Sequence, residues 1–290
     1  MRCTFARCHP IVVLLFFAAV IVFGAICFHP AALLTELAAA FSFCIRVKGR
    51  GVFHWLVYLV PTLLIFAVIN VLFNHKGITV LFYLADNPVT LESMVYGVCS
   101  AVMLLVVLFW FVCLQEVLDS DKCIYLFSRV SPALALLLSM TLRFIPVLKK
   151  RASIIRLAQK GLVSGEKQTA LQRMHDAAGV LGALMTWSLE GAIETADSMR
   201  ARGYGLRNRS SFSIYHFSVQ DAVLCVIIVG CVLLCATLLA AGAVDFRTFP
   251  SIAGATAGSG SIAFVICYAC LCFLPLILEL LELIKWKILK

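Results

Sequence analysis

Charge is what this sequence has least of. Lys, Arg, Asp and Glu supply 13% of its 290 residues, while 62% are hydrophobic, against about 25% charged and 45–50% apolar in soluble domains. With a mean hydropathy of +1.02, a soluble globule is excluded. Also missing are a glycine-lysine phosphate loop, paired carboxylates in a pocket-like context and a metal-ligand cluster, so the chain shows no catalytic constellation, ATP site or resident cofactor. Acidic residues are scarcer than basic ones, 15 against 24, which leaves a net charge of +9.

The uncharged stretches are long enough to span a bilayer, since about 20 apolar residues cross a roughly 30 Å hydrocarbon core, and a helix satisfies its own backbone there. The expected fold is all-α and polytopic, with about six transmembrane helices and a cytoplasmic block of amphipathic helices. Spans are expected near Ile11 to Phe28, Ala31 to Ile45, Val52 to Phe73, Met94 to Gln115, Val219 to Ala241 and Ile262 to Ile284. The second is short, carries Glu36 and follows His29-Pro30, as a shallow or tilted hairpin partner would. Tyr125 to Met140 is apolar but interrupted by Arg129 and Pro132, and reads as interfacial. The first run resembles a signal peptide, with Arg2 and Arg7 ahead of it, but no clear small-residue cleavage site closes it, so it reads as a retained helix.

Six crossings from a cytoplasmic N-terminus put every Lys and Arg inside except Lys76 and Arg247. The positive-inside rule therefore sets both termini in the cytoplasm, and the basic excess needs no nucleic acid. The bilayer is the first partner. Three stretches are expected: N-terminal spans at 1–118, a cytoplasmic or interfacial region at 119–217, and C-terminal spans at 218–290. The small-residue run ending at Ser261 reads as a linker. Of the 13 cysteines, Cys225, Cys231, Cys235, Cys267, Cys270 and Cys272 fall inside apolar helices and read as small packing residues; Cys267-x-x-Cys270 lacks a matching pair. His175 reads as solvated.

Information concentrates in the middle region. From Leu142, apolar Ile145, Leu148, Ala152, Ile155 and Ala158 recur at steps of three and four, with Lys149, Lys150, Arg151, Arg156 and Lys160 on the remaining face. Pro146 lies near a helix start or kink. Such a basic amphipathic helix either lies on anionic lipid or packs its stripe on a neighbour and offers its charges to a partner. After Gly161 to Gly165 a second helix is expected from about Asp176 to Ala201, with a stripe of Met185, Leu189, Ala192, Ala196 and Met199 and an acidic row of Glu190, Glu194 and Asp197. Crossing the two helices would pair that row with the basic face. Gly203 suits the left-handed residue that closes a helix, and Arg202 complements the negative end of its dipole. A guanidinium fixed at such a tip also suits a bidentate contact with a carboxylate of another protein.

Two stretches, Thr141-Leu142-Arg143-Phe144-Ile145-Pro146 through Gln159-Lys160, and Ala192 through Ala196-Asp197-Ser198-Met199-Arg200-Ala201-Arg202-Gly203-Tyr204-Gly205, together with the order of spans, basic block and closing spans, resemble the transmembrane T component of energy-coupling factor transporters and the related subunit of cobalt importers. The resemblance implies a non-catalytic coupling subunit of an ABC-type importer of vitamins or metal ions, multi-pass in a bacterial plasma membrane. Its implied partners are two cytoplasmic ATPase subunits and a small integral-membrane substrate-binding subunit. It implies ATPase-coupling roles for Ala201, Arg202 and Gly203 and, at the end of the first long helix, for Arg156, Gln159 and Lys160. The charged faces it implies are Arg143, Lys149, Lys150, Arg151, Glu190, Glu194 and Asp197. One departure is plain: the arginine expected near Leu162 is missing, so that either Lys160 takes its place or the contact on that side is weaker and less geometric. An autonomous permease or a membrane-embedded enzyme would need broken helices or ionisable groups within the spans, for which Glu36, Asn70, Glu116, Glu279 and Glu282 are the few candidates.

Overall fold

The computed structural model describes residues 4–49, 51–74, 77–84, 87–162, 169–206, 215–242 and 258–288. Arg2, Arg50, Lys76, Gly165, Arg209, Arg247, Lys290 and most of the small-residue run before Ser261 lie outside them. A 3-10 turn at Thr4–Arg7 precedes α1 (Pro10–Ile26), α2 (Pro30–Lys48), α3 (Gly51–Phe73), a hairpin of β1 (Val80–Leu84) and β2 (Asn87–Thr90), α4 (Leu91–Val117), α5 (Ser120–Val130), α6 (Pro132–Leu162), α7 (Ala170–Ala201), α8 (Val219–Ala240) and α9 (Ser259–Ile288). The fold is all-α and polytopic apart from the hairpin, which periodicity did not announce because its strands are only four and five residues long.

Among the described residues six helices are long and apolar enough to cross a membrane, namely α2, α3, α4, α6 up to Gly161, α8 and α9 up to Lys285. Two of these differ from expectation. α2 runs for 19 residues, because Pro30 is tolerated in a first turn where the missing N–H would be unpaired anyway. α6 starts at Pro132 rather than Leu142 and carries Pro146 inside it, so Tyr125 to Met140 is two helices parted at Ser131, the second of them long and apolar enough to span. α1, at 17 residues, falls short of the other spans.

The chain divides into two compact units, one of Met1–Cys123 with Tyr215–Lys290 and one of Ile124–Ile214. The first packs α1, α2, α4, α8 and α9 round an aromatic knot in which Phe5 meets Phe16 at 5.1 Å and Trp110 meets Phe16 and Phe17 at 5.7 and 6.0 Å, all edge-on. Edge-to-face rings at such distances each add about 0.5–1.5 kcal/mol to burial. α3 is mostly exposed, with Val52 and Leu63 its buried residues, as a helix facing lipid would be.

Polar groups tie the unit together at its ends. Asp221 caps α8 through Ser218 and accepts the backbone N–H of His9 at 3.0 Å, joining the starts of α1 and α8. Lys122 is buried; its Nζ donates to the carbonyls of Ala6 at 2.6 Å and Val117 at 2.8 Å and so closes the last turn of α4. Arg46 pairs with Glu279 at 3.3 Å, and Lys48 with Glu116 at 3.4 Å while lying over Trp55. Glu36 is buried at 1% exposure within α2, and its carboxylate fills the space left by Gly24, where a methyl group would overlap it.

Candidate functional site

The second unit is built on α6 and α7. α7 is capped by Thr169, whose N–H and hydroxyl both donate to Gln172 Oε1 at 2.9 and 3.0 Å, so the helix begins at Ala170, six residues before the expected Asp176. Its other end is a two-bond stop: Tyr204 N–H donates to Met199 O and Gly203 N–H to Arg200 O, both at 3.0 Å. Gly203 takes φ +79°, the left-handed conformation that a Cβ would penalise. Arg202 is the residue held at that stop, exposed beside Ala201.

The two helices run antiparallel. Gln159 Nε2 lies 3.1 Å from where a Cβ on Gly179 would be, and further along Trp187 stacks on Phe144 with ring centroids 5.7 Å apart and planes 3° apart. Arg151 covers Trp187 at 4.9 Å. Phe144 and Arg151 stand seven residues apart, two turns along one face of α6. Beyond this sandwich the helices part, and a cavity of about 980 Å³ opens between them. Arg143, Glu194 and Arg202 line it together with Ala192, Ala196 and Met199.

The remaining sequence candidates fall in separate places. Lys149, Arg156 and Lys160 share a shallower hollow of about 470 Å³ on α6 with Ser153 and Leu157. Lys150 is exposed. Glu190, Glu194 and Asp197 are exposed, and none of the three forms an ion pair with α6 among the described residues, so the expected pairing of acidic row with basic face does not occur. The crossing is held by an aromatic ring between a ring and a guanidinium. Trp187 lies off the apolar stripe and on the face of the acidic row, three residues before Glu190 and seven before Glu194, where a ring reads as part of a charged surface; the seven-residue step from Phe144 to Arg151 was the available signal. Of the α7 stripe, Ala192, Ala196 and Met199 face the cavity, while Met185, Leu189 and neighbouring Ile193 are about two-thirds exposed.

Lys160 and Arg202 stand at opposite ends of the pair. Arg202 lies 23 residues beyond Gly179, the neighbour of Gln159, which is roughly 35 Å of helix at 1.5 Å per residue. The arrangement offers two separated basic tips joined by stiff helices, and among the described residues no group of three or more His, Cys, Asp or Glu is placed to hold a metal ion.

Residues 5–214 match the family described as CbiQ, cobalt transport protein. The chain is 36% identical over 118 residues to the energy-coupling factor transporter transmembrane protein EcfT 1 of Listeria monocytogenes, covering 40% of this chain and 41% of that protein. It is also 36% identical over 92 residues to the EcfT protein of Bacillus selenitireducens, covering 31% of this chain and 34% of that one. The matched regions thus span well under half the length of either relative.

Proposed function

The chain belongs to the CbiQ/EcfT family, the transmembrane components of energy-coupling factor transporters, and on that premise we propose that it passes ATP-driven motion from two cytoplasmic ATPase subunits to a substrate-binding membrane subunit during vitamin or metal-ion uptake. The observation that carries this reading is the fixed tip at Arg202. A planar guanidinium on a closed helix end makes a two-pronged contact with a carboxylate at little entropic cost. The second contact is assigned to the end of α6, where Arg156, Gln159 and Lys160 stand; Lys160 is a point charge without a fork, so this contact is the less geometric of the two. Ala201 and Gly203 flank Arg202 and let a partner surface approach its guanidinium closely.

In this reading Arg143, Lys149, Lys150, Arg151, Glu190, Glu194 and Asp197 make the charged faces presented to partners. The exposed apolar run of Met185, Leu189 and Ile193 faces the substrate-binding subunit. Chain organisation follows as 1–118 and 218–290 in the membrane, 119–217 cytoplasmic or interfacial, and both termini on the cytoplasmic side. The solute is chosen elsewhere, and ATP is hydrolysed in the partners.

The test is recovery of the chain from its native membrane in mild detergent, followed by mass spectrometry. Two ATP-binding cassette proteins and a small hydrophobic subunit are expected with it, and the Arg202→Ala variant is expected to lose most of the ATPase. Recovery of the chain alone, in a detergent that preserves other membrane complexes, would favour an autonomous permease and overturn the reading.

A further inference from the structure

Cys267-x-x-Cys270 has no matching pair along its own helix, and the packing of α8 against α9 supplies one. The Cys235 and Cys267 sulfurs lie 3.5 Å apart. Cys231, one turn before Cys235 on the same face of α8, turns its carbonyl to the Cys267 thiol at 3.8 Å, and its own thiol is a further neighbour of Cys267. All are free thiols of graded exposure: Cys235 is fully buried, Cys231 and Cys267 are half-buried and Cys270 is exposed. Cys235 stands five residues before the end of α8 and Cys267 eight after the start of α9, roughly 8 and 12 Å along the two helices at 1.5 Å per residue. The pair therefore lies at hydrocarbon depth within one leaflet, about half of a roughly 30 Å core. Hydrophilic glutathione and thioredoxin, which keep soluble thiols reduced, are excluded from that layer, whereas apolar oxidants concentrate in it.

We propose that Cys235 and Cys267 form a modification site, a thiol pair that organic hydroperoxides dissolved in the bilayer convert to a disulfide joining α8 to α9. The Cys267 sulfur, the more accessible of the two, attacks the outer oxygen of the hydroperoxide. The O–O bond breaks, the alcohol leaves with the thiol proton, and Cys267 becomes a sulfenic acid. The Cys235 sulfur then displaces that hydroxyl, which departs as water with the Cys235 proton. Two electrons pass from the sulfurs to the broken O–O bond, and no other reagent is consumed. A disulfide needs about 2.05 Å between sulfurs, so roughly 1.5 Å remains to close, on the scale of small rotations about the two Cα–Cβ bonds. Cys27, Cys44, Cys113 and Cys272 are at most 2% exposed and offer no accessible member to take the first oxygen. Tyr268, next to Cys267, is fully buried and meets Phe23 of α1 at 6.2 Å, so the new bond ties α9 to α8 at the level where it already packs on α1. The site belongs to the membrane unit alone and stands or falls independently of the coupling role.

The experiment exposes native membranes holding the full chain to cumene hydroperoxide, blocks the remaining thiols with N-ethylmaleimide in denaturant, and digests with trypsin without reductant. Cleavage after Arg247 separates residues 210–247, which carry Cys235, from residues 248–285, which carry Cys267. After hydroperoxide the two peptides are expected to stay joined, lighter than their sum by about 2 Da for the two thiol hydrogens lost, and to part on reduction. Untreated membranes are expected to yield them separate. Cys235→Ala and Cys267→Ala are each expected to abolish the joined species, and Cys231→Ala to retain it; fragmentation of the joined wild-type peptides assigns the bonded sulfurs without any variant. Separate peptides with maleimide on both Cys235 and Cys267 after hydroperoxide, a bond carried by other sulfurs, or a link already complete before hydroperoxide is added would each overturn the proposal.

Discussion

At the scale of single residues, the tip of α7 separates folding from function. Arg202 is exposed and caps nothing with its side chain, so Arg202→Ala is expected to change stability by no more than about 0.5 kcal/mol while sharply lowering solute uptake; Arg202→Lys, which keeps the charge and loses the fork, should fall between. Uptake assays beside thermal unfolding of the same preparations check this. Gly203 behaves in the opposite way: at φ +79° its change to Ala should cost roughly 1–2 kcal/mol, read as a lower melting temperature. Gly24→Ala is the matching case in the membrane unit, because a methyl group there meets the carboxylate of Glu36. It should destabilise by about 1–3 kcal/mol, and shortening the opponent with Glu36→Asp should return part of that, which a double-mutant cycle measures. The stop at Gly203 was legible in the sequence because glycine after a charged last turn has few other uses. The burial of Lys122 was not, since the carbonyls that hold it, Ala6 and Val117, come from backbone that no side-chain pattern reports.

At the scale of elements, α6 and α7 are long helices whose stripes remain largely uncovered, so their mutual geometry rests on few contacts. Trp187 supplies the best defined of these. Trp187→Ala removes both its stack on Phe144 and the cover of Arg151, together worth about 1–2.5 kcal/mol. Faster amide exchange is expected in α6 between Phe144 and Gln159 and in α7 from Gly179 to Trp187, with protection in α1, α2 and α4 unchanged. The existence of these two helices followed from apolar recurrence at three and four residues, which is a backbone property. Their starts did not. Arg129 and Pro132 looked like interruptions of one segment, when Pro132 in fact opens a new helix, a position where its fixed φ is already helical. The expected charge pairing between the helices also failed, because rotation about a helix axis decides which face meets which, and periodicity in one helix carries no information about its neighbour.

At the scale of the whole molecule, orientation is open to direct measurement. In a background freed of its other reactive thiols, Tyr83→Cys on the hairpin should react with a membrane-impermeant maleimide added to whole cells, and Glu190→Cys should react only after lysis; the reverse pattern would invert the topology. The membrane unit is closed by segments from both ends of the chain, for α9 packs against α2, and Tyr268 from α9 joins the same buried cluster as Phe16, Phe43 and Trp110. That closure gives the protein a birth order. α1 and α2 leave the ribosome more than 200 residues before Tyr268 and Cys272 do, a wait of roughly 10–45 s at 5–20 residues per second. Through that interval Glu36 sits in a helix whose final neighbours do not yet exist, so the nascent chain depends on the insertion machinery, on lipid or on α4 to shelter a carboxyl group that the finished protein encloses by itself.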